Sequence, residues 1–74
     1  KNMTFQKVAE ILADYKGIDV SEVKEDSAFA DLGLDSLDMA ELAMKLEDEF
    51  GVTIELDASL KKVSDIVKLI DEAK

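Results

Sequence analysis

Apolar residues recur with a helical period in three stretches of this chain and lose that period in the two segments between them. Phe5, Val8, Ala9 and Leu12 fall at i, i+3, i+4 and i+7, the spacing of a helix with one buried face. Ile11 and Tyr15 widen the stripe. Thr4 or Asn2 is suited to cap the start, and Gly17 to end the helix in a left-handed conformation. The pattern predicts a first helix over residues 3–16, with Tyr15 at the core edge and its hydroxyl in water. From Ile18 to Asp35 the period lapses, which makes a long connection for a small domain. Ile18, Val20, Val23, Phe29, Leu32 and Leu34 recur through it and can anchor it. An ordered crossover is therefore expected, with a single helical turn at Ser21–Val23 and with Glu25 and Asp26 on the solvated surface.

A second helix is predicted over residues 36–50. Asp35 is a good N-cap, Asp38 adds negative charge at the positive end of the helix dipole, and Gly51 is a stop signal. Met39, Leu42, Ala43, Leu46 and Phe50 share its core face. The opposite face carries Leu37, Glu41, Met44 and Asp48, where an ordinary surface helix would offer only polar groups. Met44 is soft and unbranched, suited to a surface that must fit several partners. After Gly51, Val52-Thr53-Ile54 reads as extended loop, since so short a β-prone run has no partner strand. Asp57–Leu60 can form a short helical turn. Ser64 is the expected cap of a last helix with Asp65 in its first turn, and Ile66, Leu69, Ile70 and Ala73 form its buried face. The fold class expected is all-α: three main helices plus one short helix, with a long ordered first loop, in a single domain spanning residues 1–74.

Composition narrows the chemistry. Seventy-four residues sit near the size at which an apolar core is barely sufficient. Without cysteine there is no disulfide and no thiolate metal site; without histidine the usual zinc, haem and Ser-His-Asp chemistries lose their main participants. Any thiol chemistry must come from an added group, and no catalytic residue or metal ligand is predicted. The net charge is −9, and all nine basic residues are lysines. Nucleic acid and anionic membrane surfaces are disfavoured by that sign, and basic patches on other proteins are the natural counterpart. Residues 31–50 hold seven acidic groups against Lys45 alone, a net of −6, whereas residues 1–16 and 61–74 each sum to +1. The acidity is thus concentrated on and beside the second helix, where it can steer basic partners. With no leader-like or long apolar segment, a soluble, cytoplasmic monomer is expected.

The stretch Asp31-Leu32-Gly33-Leu34-Asp35-Ser36-Leu37-Asp38, followed by Glu41-Leu42, Met44, Leu46-Glu47 and Glu49-Phe50, resembles the modification region of acyl carrier proteins. The likeness is nearest to the stand-alone carriers of bacterial (type II) fatty-acid synthesis, and it is strongest from Phe29 to Ile54. The segment from Ile54 to Val63 is one residue longer than the family spacing, and the loop before Asp31 one residue shorter. The resemblance implies that Ser36 is esterified by 4′-phosphopantetheine, whose thiol carries the acyl chain, with Asp35 and Leu37 flanking the attachment. It implies a partner face of Leu37, Asp38, Glu41, Met44, Glu47 and Asp48. The partners would be a holo-carrier synthase (a phosphopantetheinyl transferase), ketosynthases, reductases, dehydratases and acyltransferases. It also implies an acyl-chain pocket near Leu46, Ile54 and Val63.

Rival readings stay open at this level. The cargo could belong to a polyketide, amino-acyl or D-alanyl pathway, although Asp38-x-x-Glu41-Leu42-x-Met44 favours the fatty-acid type. An unmodified acidic adaptor binding basic proteins would keep its function when Ser36 became alanine. A calcium-binding helical protein is disfavoured, because the acidic residues never adopt EF-hand loop spacing.

Overall fold

The structure, a computed structural model, describes residues 3–73. Three α-helices form it: α1 (Met3–Lys16), α2 (Ser36–Phe50) and α3 (Val63–Ala73), with a 3-10 turn at Val20–Glu22 in the crossover. There is no strand among the described residues. α1 packs against both α3 and α2. Its predicted stripe is buried at Val8, Ala9 and Leu12, joined by Ala13, while Phe5, Ile11 and Tyr15 pack at the edge. From α2 come Leu42, Ala43 and Leu46, with Met39 and Phe50 packed against them.

The boundaries of α1 and α2 match the expected ones, and their ends differ in detail. Thr4 does not cap α1. It lies inside the helix, buried, and its hydroxyl donates to Asp71 Oδ1 of α3. Asn2, the other candidate cap, lies outside the described residues. The expected turn at Ser21–Val23 starts one residue earlier because Asp19 caps it: Asp19 Oδ1 accepts the Ser21 N–H at 2.8 Å. That N–H also holds the Asp19 carboxyl below its ordinary range. Val20 then faces solvent on the turn instead of anchoring it, while Val23, Phe29 and Leu34 are buried.

The start of α3 is the main correction. Helix α3 begins at Val63, which places the expected cap Ser64 within its first turn. The crossover backbone supplies the cap instead. Val63 N–H donates to the Ser27 carbonyl at 2.9 Å and Ser64 N–H to the Glu25 carbonyl at 2.8 Å. Two carbonyls fixed by tertiary structure satisfy donors that a side-chain cap would otherwise serve. Asp65 reaches back to accept the N–H groups of Lys61 and Lys62 at 3.0 and 3.1 Å, which lowers its pKa. An antiparallel bridge between Ala28 and Lys62, with Phe29 N–H on the Lys61 carbonyl at 3.0 Å, extends this seam. On α3 the buried positions are Val63, Ile66, Val67 and Ile70; Leu69 is half-buried, and Ala73 is exposed instead of facing the core.

Val52–Ile54 is extended loop, as expected. Asp57–Leu60 is a hydrogen-bonded turn, not a helix: Leu60 N–H meets the Asp57 carbonyl at 3.1 Å, and Asp57 Oδ1 accepts the Ser59 N–H. The short helical element of this fold is therefore the one in the crossover.

If the crossover caps α3, Ser64→Ala should leave stability within about 0.5 kcal/mol of the parent, as at an uninvolved surface position. Asp65→Ala should clearly lower the urea midpoint. Urea unfolding of both variants checks this, and the reverse order of losses would restore Ser64 as the cap.

Candidate functional site

The turn leading into α2 is built by Phe29 and Gly33. The buried Phe29 ring fixes the turn's start, and the Phe29 carbonyl accepts the N–H groups of both Leu32 and Leu34 at 3.1 Å. Gly33 sits at φ +80°, a conformation that costs an L-residue with a Cβ. An added Cβ there would also stand 3.3 Å from Lys16 Cε. Leu34 tucks back into the core, and the chain then enters α2 at Asp35.

Asp35 and Asp38 form a reciprocal capping box. Asp35 Oδ1 accepts the Asp38 N–H at 2.9 Å, and Asp38 Oδ2 accepts the Asp35 N–H at 3.1 Å. Ser36 is the first residue of α2 and is exposed. Its N–H and that of Leu37 have no hydrogen-bond partner among the described residues. A shallow groove of about 250 Å³, lined by Ser36, Met39, Leu56 and Asp57, opens beside the hydroxyl. An exposed hydroxyl, two unpaired amides at the positive end of a helix and an adjoining partly apolar groove fit a group attached through a phosphodiester.

Of the six residues expected on a partner face, four form one stripe. Leu37 and Met44 are 69% and 58% exposed on one helix face, where they alternate with the exposed Glu41 and Asp48. At about 100° per residue, Asp38 and Glu47 are rotated roughly 80–100° to either side of this stripe. Asp38 turns toward α1. Glu47 turns toward the following loop, where its Oε2 accepts the Ile54 N–H at 2.8 Å, so its carboxylate is committed within the fold. The expected acyl-chain residues Leu46, Ile54 and Val63 are all core residues, 0%, 6% and 0% exposed, and do not line the groove at Ser36. Leu56 and Asp57, which do line it, were not expected at the site: Leu56 belongs to no periodic pattern, and Asp57 reads only as the start of a turn.

Tyr15 departs most from expectation. Its hydroxyl is not simply in water: it lies 2.7 Å from Glu41 Oε1 and 2.9 Å from Asp38 Oδ1, with one proton to share between two acceptors. Glu41 and then Asp38, by accepting that proton, push the phenol well above its ordinary value. The Asp35 N–H, followed by the Tyr15 hydroxyl, holds Asp38 below the ordinary carboxylate range. Both signs are consistent with a neutral phenol beside ionised carboxylates. The contribution of Asp38 is present above its unfolded value and is lost as pH falls through its lower folded value. That of Tyr15 is present below its unfolded value and is lost as pH rises through the raised one. Lys16 adds a bond from Nζ to the Gly33 carbonyl at 2.9 Å and reaches Asp38 Oδ2 at 4.0 Å.

An all-α bundle that presents one exposed serine at a capped helix start, above an acidic face, defines a carrier-type domain. The phosphopantetheine attachment site family matches residues 6–71, nearly the whole chain, and the protein belongs to that family. Its prosthetic group is 4′-phosphopantetheine, attached covalently in this domain, and it carries acyl groups as thioesters on that arm. Such a carrier works with enzymes that load the arm and enzymes that use its cargo. No helix among the described residues is long and apolar enough to cross a membrane.

Tyr15 is the sole tyrosine and there is no tryptophan, so its ionisation can be read directly by ultraviolet absorption. In the folded protein it should begin to ionise only well above the ordinary phenol value of about 10, and should return to about that value in denaturant. Equal titration in both states would show that the two carboxylates do not hold the hydroxyl in solution.

Proposed function

We propose that Ser36 is the attachment point of the arm and that the domain shuttles acyl intermediates among the enzymes of fatty-acid synthesis. The observation that carries the reading is the placement of Ser36. Its hydroxyl is exposed at the first position of a helix whose start is locked by the Asp35–Asp38 box. The amides of Ser36 and Leu37 would face the phosphodiester, and the groove of Met39 and Leu56 would receive the adjoining arm. The arm supplies the thiol that this chain lacks and forms the thioester. The domain itself is not a catalyst. Its residues present the serine, keep the turn in one shape and offer a face to partners.

Leu37, Glu41, Met44 and Asp48 form that docking face. Two exposed apolar side chains give contact area, and two carboxylates steer basic partner surfaces at low salt. Docking should be weak and transient, since a carrier must leave each enzyme after delivery. The partners are the holo-carrier synthase, ketosynthases, reductases, dehydratases and acyltransferases, met in the cytoplasm. The Asp38-x-x-Glu41-Leu42-x-Met44 spacing supports fatty-acid cargo over polyketide, amino-acyl or D-alanyl cargo. A long acyl chain would reach Leu46, Ile54 and Val63 by way of the groove beside Ser36, each sheltered methylene contributing about 0.8 kcal/mol.

Intact mass after incubation with coenzyme A, magnesium and a broad-specificity phosphopantetheinyl transferase tests the attachment. The parent chain should gain one phosphopantetheine, and Ser36→Ala should gain none. An arm on Ser36→Ala would move the attachment to another residue, and no gain on either folded chain would favour the adaptor reading. For the docking face, Asp48→Lys should slow acyl transfer to a partner enzyme by about five-fold or more at low salt, with the gap narrowing as salt is added. Equal rates for parent and variant at low salt would remove Asp48 from the face.

A further inference from the structure

Ser36 lies between two points that a different helix holds. Lys16, the last residue of α1, takes the Gly33 carbonyl three residues before the serine. Tyr15 takes Asp38 and Glu41 two and five residues after it. The capping box fixes residues 35 and 38 only relative to each other. Leu34 and Met39 anchor the segment to the core, and the α1 contacts hold its exposed groups, the Gly33 carbonyl and the Asp38 and Glu41 carboxylates, relative to the rest of the bundle.

The chemistry of these contacts suits that task. Glu41 is exposed, and a free glutamate there would sample many rotamers. The Tyr15 hydroxyl selects one of them. Lys16 brings positive charge to a turn flanked by Asp31, Asp35, Asp38 and Glu41, and so offsets their mutual repulsion. Its stem also lies over Gly33, close enough that a Cβ at that residue would crowd it. The two side chains come from consecutive positions on α1, yet reach opposite sides of the serine.

We propose that Tyr15 and Lys16 are positioning residues for loading of the carrier, holding the Gly33 turn, Asp38 and Glu41 in the arrangement on which the phosphopantetheinyl transferase docks. This rests on the reading of Ser36 as the attachment point. In loading, a bond forms between Ser36 Oγ and the phosphorus that bears the pantetheine arm. The diphosphate P–O bond of coenzyme A breaks, adenosine 3′,5′-bisphosphate leaves, and the serine proton passes to a base of the transferase. Neither Tyr15 nor Lys16 takes part in that exchange. Their effect falls on recognition, because an unbraced turn and a free Glu41 must be ordered when the complex forms.

The test is steady-state loading of the full-length apo chain from coenzyme A, comparing parent, Tyr15→Phe and Lys16→Met. Tyr15→Phe keeps the ring and drops the hydroxyl; Lys16→Met keeps most of the stem and drops the charge. Each should raise KM for the carrier by about two- to ten-fold and leave kcat within about two-fold, the loss expected when one side chain must be immobilised on binding. Amide shift changes in the NMR spectrum should be confined to the end of α1 and residues 33–41. An unchanged KM in both variants overturns the positioning role. So does a raised KM accompanied by shift changes throughout α3, which would mark general loosening. A parent chain that is never loaded overturns the Ser36 reading and the positioning role together, whereas a loaded parent with unaffected variants overturns the positioning role alone.

Discussion

The backbone seam between the crossover and the start of α3 fixes where everything else stands. A long segment without helical period has many peptide groups to satisfy, and unsatisfied ones cannot be buried cheaply. Here the carbonyls of Glu25 and Ser27 and the N–H of Phe29 find partners at residues 61–64. One set of bonds therefore does two jobs: it orders the crossover and supplies the cap that α3 lacks. It also seats Phe29, whose carbonyl starts the turn into α2. The position of Ser36 thus depends on a pairing between segments more than thirty residues apart in the chain.

Charge is distributed to suit the same end. Two carboxylates of α2 accept backbone N–H groups within the fold, Asp38 at the helix start and Glu47 near its end. On the helix face between those two carboxylates Leu37, Met44 and Asp48 are left to the outside, and Glu41 stands at the border, exposed but held by Tyr15. The acidic helix is therefore not a uniform field. Its two flanks are internally committed and the stripe between them is open along the helix, so a basic partner meets an apolar pair interleaved with charge. The exposed Lys7–Glu49 pair at 3.4 Å between α1 and α2 adds little to stability at so open a site.

What was legible in the sequence was whatever local chemistry decides. Helix α2 could be read to the residue because Asp35, Asp38 and Gly51 are all signals within one turn of its ends. The start of α3 was misplaced by two residues because its cap is a pair of main-chain carbonyls from far upstream, which leave no side-chain signature. Asp57–Leu60 has the composition of a helical turn, but a single Asx-stabilised turn has the same composition and is shorter. The serine and the exposed Leu37–Met44 pair were visible from spacing and family likeness. The hydrogen bonds of Tyr15 were not, since they span 23 and 26 residues. The available signal was a Tyr-Lys pair ending a helix otherwise occupied with the core, in a chain whose acceptors are concentrated on the next helix.

The contact between Thr4 and Asp71 has a consequence for how the chain comes together. It joins residues 67 apart, so it closes the largest loop among the side-chain hydrogen bonds described. The packing of α1 on α3 around it carries a large loop-closure entropy, although that entropy grows only slowly with loop length. A circular permutant joined near these two residues, and opened in the Asp57–Leu60 turn, would turn this distant pairing into a local one. The seam at residues 61–64, already distant from its crossover partners, would then be the longest-range pairing left. The native structure would be nearly the same, while the docking of α1 on α3 would move from the most distant contact to a local one that can form first.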